Sequence, residues 1–140
     1  MSVQAFVLLI LTAFFWGFAP ILEKAALGVS DPVAGLTIRQ IGVTLILVAF
    51  VSFSGRWEQV QSITPRDRWF FILSGISAGL LGMLTYYYAL RTTPASKAVP
   101  IAASYPLVAA LLAFILFGEK LTAARLAGIV FIVSGVYLVR

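Results

Sequence analysis

The tightest constraint on this chain is a series of long apolar runs that carry almost no charge. Residues 3–22, 69–90 and 98–117 contain no charged side chain, 33–53 contains only Arg39, and 123–139 contains only Arg125. About 20 mostly apolar residues suffice for a helix to cross a hydrocarbon core of about 30 Å. The five runs therefore predict five membrane helices. In lipid every backbone polar group needs an internal partner, so a spanning segment is either a helix or part of a closed barrel. The runs lack the alternation of a membrane barrel, which leaves helices. The connections are short, the longest being 54–67, so no soluble domain fits between the spans. Of 140 residues, 61% are hydrophobic and 11% charged, against about half and about a quarter in soluble domains. A disordered chain would show the opposite bias. The first run has no basic leader and is long for the apolar part of a signal peptide, so it is expected to be a retained helix.

The same sequence narrows the chemistry. It contains no cysteine and no histidine, which removes thiol nucleophiles, imidazole bases and most zinc sites. Neither a G-x-S-x-G elbow nor an S-x-x-K pair is present. Glu23, Asp31, Glu58, Asp67 and Glu119 fall at run ends or in connections, with no carboxylate pair set for acid–base work. The expectation is no enzyme, no catalytic residue, no metal and no cofactor. A buried carboxylate is the usual proton relay of a membrane carrier. With Glu23 and Glu119 read as water-accessible end residues, any transport is expected to follow the substrate gradient. The net charge of +5 is scattered singly between apolar runs, which fits lipid headgroups and not nucleic acid.

Five spans put the termini on opposite sides. One side then holds Arg56, Arg66, Arg68, Lys120 and Arg125, and the other holds Lys24, Arg91, Lys97 and Arg140, with Arg39 nearer the second group. Basic residues normally gather on the cytoplasmic side. Five against four, or five against five, gives almost no orientation bias. Either a small bias still fixes one orientation, or copies insert both ways and pair antiparallel.

Several residues could line a path through the bundle. Arg39 is the deepest charge, about 9 Å past Pro32 at about 1.5 Å per residue. It either snorkels to the headgroups, the cheaper reading, or faces the bundle as an anchor. Tyr86, Tyr87 and Tyr88 point about 100° apart, so an interfacial belt explains some of them and a cavity-lining hydroxyl another. Gly75, Gly79 and Gly82 fall on one stripe with Tyr86, a close-packing surface. Pro20, Pro100 and Pro106 lie in or beside spans. Pro100 suits a first helical turn. Pro106 is interior and follows Ser104-Tyr105, which makes this cluster the strongest candidate for a substrate-facing kink. Trp16 is too deep for a belt position. On the last run, Gly128 and Gly135 share a narrow arc and permit close approach, either within the chain or between copies.

Taken in order, Trp16-Gly17, Lys24, Pro32, Arg39, Tyr88-Ala89-Leu90-Arg91, Pro100, Pro106, Leu116-Phe117-Gly118-Glu119-Lys120-Leu121 and Gly128/Gly135 resemble the EamA domain of the drug/metabolite transporter superfamily. The resemblance covers essentially all of residues 1–140 as one domain. It implies an all-α polytopic membrane protein of five transmembrane helices, one inverted-repeat unit of a ten-helix carrier fold. A lone unit on that plan would find its second half in another copy. The chain is also similar to four-helix small multidrug resistance proteins with the second span added. Their membrane glutamate falls at or near Trp16 here, and their dimer contact resembles the Gly128/Gly135 pattern.

The resulting expectation is a carrier in a cytoplasmic-type membrane, an antiparallel homodimer moving a small organic metabolite, amino-acid-like or another neutral or zwitterionic solute, by alternating access. Trp16, Tyr88, Ser104 and Tyr105 are the expected lining, Pro106 and Pro20 the kinks, Arg39 a possible anchor, and Gly128 and Gly135 the dimer packing. The alternatives are a flippase for a lipid-linked substrate and a non-transporting assembly partner.

Overall fold

A computed structural model describes residues 2–120 and 122–139. Leu121 of the quoted resemblance and Arg140 of the charge balance lie outside the described residues. No strand occurs among those described. The helices are α1 (Val3–Leu27), α2 (Pro32–Phe53), α3 (Trp57–Gln61), α4 (Pro65–Ser74), a π-helical segment Gly75–Gly82, α5 (Met83–Thr92), α6 (Ala95–Ala102), α7 (Pro106–Phe117) and α8 (Ala123–Val139). Four stretches are long and apolar enough to span a membrane: Val3–Leu27, Pro32–Phe53, Pro65–Thr92 and Ala95–Phe117. The fifth, α8, is a shorter apolar helix of 17 residues.

The boundaries have local causes. Asp31 caps α2 by accepting from the N–H groups of Val33 and Ala34 at 2.9 and 3.0 Å, with Pro32 in the first helical position, where its missing N–H leaves no gap. Thr64 does the same for α4. Its hydroxyl accepts from the Asp67 N–H at 3.2 Å and donates to the Asp67 carboxylate at 2.8 Å, with Pro65 following. Gly118 ends α7 at φ +64, the left-handed conformation that closes a helix without a Cβ clash.

Two runs are longer than hydropathy indicates. The first helix continues through Glu23 and Lys24 to Leu27, and the third span begins at Pro65, ahead of Arg66, Asp67 and Arg68. A charge ends an apolar run, but only a cap or a breaker ends a helix. Pro100 lies inside α6, the sixth of its eight residues, and not in a first turn. The glycine stripe is also corrected. Its 100° arithmetic assumes an α-helix, but Gly75–Gly82 is π-helical, with i→i+5 bonds that widen the turn. Of these glycines, only Gly79 faces a side chain of another helix, Gln40 Nε2, 3.4 Å from where a Cβ would sit.

The chain divides into two compact units, one of residues 21–91 and one of residues 1–20 with 92–140. The first holds most of the fully buried side chains: Leu27, Leu36, Tyr87, Leu90 and Pro32. In the second, α6 packs against α8, and Ala98 is buried. Large apolar side chains such as Phe14, Leu45, Ile46, Phe114 and Ile115 lie on the outside. Water would not tolerate such a surface, but lipid tails are as apolar as leucine.

Candidate functional site

In the unit of residues 1–20 and 92–140, two expected lining residues meet. The Trp16 and Tyr105 rings lie 6.2 Å apart and edge-to-face, at 66°, a favourable aromatic geometry. Trp16 is 13 residues past Val3 in a 25-residue helix, about 20 Å along about 37 Å. Tyr105 is likewise near the middle of the 23-residue span Ala95–Phe117. Among the described residues, neither the indole N–H nor the phenol O–H has a hydrogen-bond partner, and both rings are more than half exposed.

Two prolines shape this level. Pro20 lies inside α1, which runs through it without interruption. Its missing N–H deprives the Trp16 carbonyl of the usual i+4 donor. Pro106 does more, because the span breaks into α6 and α7 at residues 103–105. There the Ser104 and Tyr105 N–H groups make short i→i+3 turns to Ile101 and Ala102 at 3.1 and 3.3 Å. The Ser104 hydroxyl donates to the Ile101 carbonyl at 2.7 Å. That proton is held locally, which leaves the oxygen as an acceptor.

A second cluster lies in the unit of residues 21–91. Glu23 Oε1 accepts from the Tyr87 hydroxyl at 3.2 Å and faces Arg39 Nε at 3.6 Å. The Glu23 side chain is only 10% exposed and that of Arg39 38%. Arg39 Nη1 donates to Gln40 Oε1 at 3.2 Å, and Gln40 Nε2 reaches the Gly79 carbonyl of the π segment at a long 3.5 Å. Beside Glu23, Lys24 Nζ donates to the carbonyls of Leu90 and Arg91 at 2.6 and 3.3 Å, a cation where helix carbonyls run out of partners. The Tyr86 hydroxyl is buried without a partner.

This cluster revises two expectations. Arg39 does not snorkel outward, because its guanidinium turns to Glu23. Glu23 is not a water-exposed end residue, because it lies one turn inside α1 and is nearly buried. The inference of uncoupled transport from a lack of enclosed carboxylates therefore loses its premise. Tyr87, not Tyr88, is the buried tyrosine of the three; Tyr88 is exposed on α5. One clue to Glu23 was readable: Gly28 and the Asp31-Pro32 cap place the turn after Leu27, hence Glu23 within the helix.

Among the described residues, nothing beyond their own helix lies within 4 Å of where a Cβ at Gly128 or Gly135 would sit, so neither is a point of close packing within the chain. Glu119 pairs with Arg125 at 3.7 Å, with both side chains more than half exposed, and Arg125 also donates to the Lys120 carbonyl. These contacts hold the α7–α8 turn. A shallow hollow of about 380 Å³ lies over Val60, Ile63, Arg68 and Phe71. Arg68 already donates to the Ile63 and Gln61 carbonyls, so the hollow offers mainly apolar surface.

Comparison with known proteins fits this geometry. The EamA-like transporter family matches residues 4–140. A Sinorhizobium protein described as an uncharacterized transporter in the cobO 3' region is 26% identical over 129 residues, 92% of this chain and 91% of its own length. A WAT1-related chloroplastic protein of Arabidopsis thaliana is 32% identical over 133 residues, 89% of this chain but 29% of its own. The probable 4-amino-4-deoxy-L-arabinose-phosphoundecaprenol flippase subunit ArnF of Photorhabdus laumondii is 36% identical over 70 residues, 49% of this chain and 56% of its own. No solved structure gives a significant match. Apolar spans, an interrupted helix at mid-depth and a family match over nearly every residue lead to one conclusion: the chain belongs to the EamA-like transporter family.

Proposed function

We propose that this chain, read as a single domain over residues 1–140, is a carrier in a cytoplasmic-type membrane. It moves a small, partly apolar, neutral or zwitterionic organic solute by alternating access. The observation that carries this reading is the Trp16–Tyr105 ring pair at mid-span beside the break at residues 103–105. Carriers bind substrate near the midplane, where interrupted helices expose backbone carbonyls to a cavity. Trp16 and Tyr105 supply aromatic walls with one N–H and one O–H handle, and Ser104 an acceptor. Pro20 leaves the Trp16 carbonyl without its i+4 donor, and Pro106 supplies the kink; within the unit of residues 21–91, Tyr88 is a further exposed phenol and Arg39 a polar anchor.

The test is uptake into liposomes carrying the purified chain, against protein-free liposomes, with a panel of neutral and zwitterionic solutes. Tyr105→Ala and Trp16→Ala should lower uptake at least tenfold with the protein still inserted. Unchanged uptake in both variants would remove the aromatic pair from the path.

The working unit in this proposal is an antiparallel homodimer. It is supported by the near balance of basic residues across the membrane and by the unoccupied space over Gly128 and Gly135. Labelling of single introduced cysteines should find both orientations, and two or three lysines added to the 54–67 connection should drive one. A single native orientation would remove the antiparallel arrangement. A second reading is a lipid-linked flippase, favoured by the likeness to the ArnF subunit over 70 residues. Flipping of an undecaprenyl-linked sugar, without uptake of soluble solutes, would select it.

A further inference from the structure

Several contacts mark the segment Gly75–Gly82 as a helix between two registers. Its π-helical closure puts one residue more into a turn than an α-helix does. The Met83 N–H reaches the Ala78 and Leu80 carbonyls, on either side of Gly79, the partner an α-helix would use. The Gly79 carbonyl is approached by Gln40 Nε2 at a long 3.5 Å. Just beyond, the Thr85 hydroxyl lies 2.9 Å from both the Leu81 and the Gly82 carbonyl, so its one proton can serve either. A Cβ at Gly82 would stand 3.2 Å from the Ser77 carbonyl oxygen, five residues back. Glycine is thus what lets the wide turn close there.

What α5 presents after the segment depends on that extra residue. Successive residues of an α-helix point about 100° apart and rise about 1.5 Å. With α4 held by its Thr64 cap, a return of the segment to i→i+4 closure turns and advances α5 by one residue position. The outline of the helix is unchanged, but each slot receives the residue one earlier in the chain. Tyr86 then enters the slot of Tyr87 opposite Glu23, and Ala89 the slot of Leu90. Lys24 spans two successive carbonyls, those of Leu90 and Arg91. After the step the Leu90 carbonyl stands where that of Arg91 stood, and the clamp is kept. The released residue passes into the connection after Thr92. Phenol replaces phenol at Glu23, which accounts for tyrosines at successive positions. The Tyr86 hydroxyl, buried without a partner in this register, acquires one in the other, and native structures rarely leave such a group unexplained. Leu90 is fully buried in its slot and the smaller Ala89 would leave a gap there. The register described is therefore the resting one.

We propose that Gly75–Gly82 is a register switch: passage of its wide turn to an α turn rotates α5 by one residue and exchanges Tyr87 for Tyr86 at Glu23. The switch gives the third span two discrete arrangements without breaking its tie to α1, the kind of element through which small local shifts become a change of access. It stands on helix geometry and does not depend on which solute the chain moves.

The test uses the full chain in liposomes. The sequence has no cysteine, so a single introduced one reports alone. Ala89→Cys and Leu90→Cys are each reacted with a small membrane-permeant thiol reagent. In the resting register position 89 is exposed and position 90 buried, so the first should label and the second should be protected. Gly82→Ala crowds the wide turn and adds a helix former, so labelling at 90 should rise about fivefold while labelling at 89 falls. A rise at both positions means that α5 has only loosened, and an unchanged pattern means that the segment does not step. Either result overturns the switch. Deleting Leu81 removes the extra residue and leaves α5 unturned. It should keep the parent pattern and abolish the response to Gly82→Ala. In a plain helix the same deletion would turn α5 and expose position 90, and that outcome also overturns the proposal. The phenol exchange has its own variants. Tyr87→Phe should raise labelling at 90 about threefold, and Tyr86→Phe should lower it. A change in the same direction in both overturns the exchange at Glu23.

Discussion

Between Ile21 and Arg91, side chains from α1, α2 and α5 reach one another through polar atoms: Tyr87 to Glu23, Arg39 to Glu23, Lys24 to Leu90 and Arg91. In the unit of residues 1–20 and 92–140, the hydroxyls of Thr12, Ser104 and Ser134 donate to carbonyls of their own helices, and the contact of note between helices is the Trp16–Tyr105 ring pair. Lipid gives helices no hydrophobic reason to associate. Directional polar bonds therefore fix one arrangement in the first unit, whereas ring contacts in the second are shallow and easily shifted. The first unit is expected to be the harder of the two to deform.

The largest expected effect would break that contrast at its root. Arg39→Ala leaves the Glu23 carboxylate nearly enclosed and unpaired. Removing one partner of a fully buried pair costs about 3–5 kcal/mol, and the partial exposure of Arg39 brings the expectation to about 2 kcal/mol. Arg125→Ala, at the exposed pair with Glu119, should change stability by less than about 0.5 kcal/mol. Thermal unfolding in one detergent compares the two, and equal losses would erase the distinction between the units. Next in size is Tyr105→Ala. An edge-to-face pair contributes about 0.5–1.5 kcal/mol, so its melting point should fall less than that of Arg39→Ala while its uptake falls more. Gly128→Leu and Gly135→Leu should leave monomer unfolding within about 0.5 kcal/mol of the parent, since among the described residues nothing beyond their own helix lies within 4 Å of where a Cβ would sit. Cross-linking should nevertheless show dimer loss, and unchanged dimer yield in both would move the contact elsewhere. The smallest effect is expected from Ser104→Ala, about a twofold change in apparent substrate affinity, because that hydroxyl proton already stays within its own turn.

Hydropathy located the spans, and for α2 and α8 it located the ends to within a residue, because Pro32 and the α7–α8 turn coincide with the polar edges. It failed where helix chemistry and apolarity part company. Glu23 stops the first run without stopping α1, and Arg66, Asp67 and Arg68 delay the third run although Thr64 and Pro65 already start α4. The break at Pro106 was legible because proline acts through its own missing N–H. The π segment was not, since a widened turn depends on what the whole span must satisfy. Trp16 stood out by depth alone. The Glu23–Arg39 pair did not: Arg39 stands out as the deepest charge, but Glu23 reads locally as a run end, and only the packing of α1 against α2 joins them.

The Lys24 clamp carries a consequence for how the chain is made. Its acceptor carbonyls lie 66 and 67 residues further along the chain. During synthesis α1 leaves the ribosome, and can enter the bilayer, before those carbonyls exist. Until α5 arrives, neither the Lys24 bonds to those carbonyls nor the Tyr87–Glu23 bond can form. The contact that ties the end of α1 to the end of α5 therefore waits for the third span. Order of synthesis, and not apolarity alone, sets when the first helix settles.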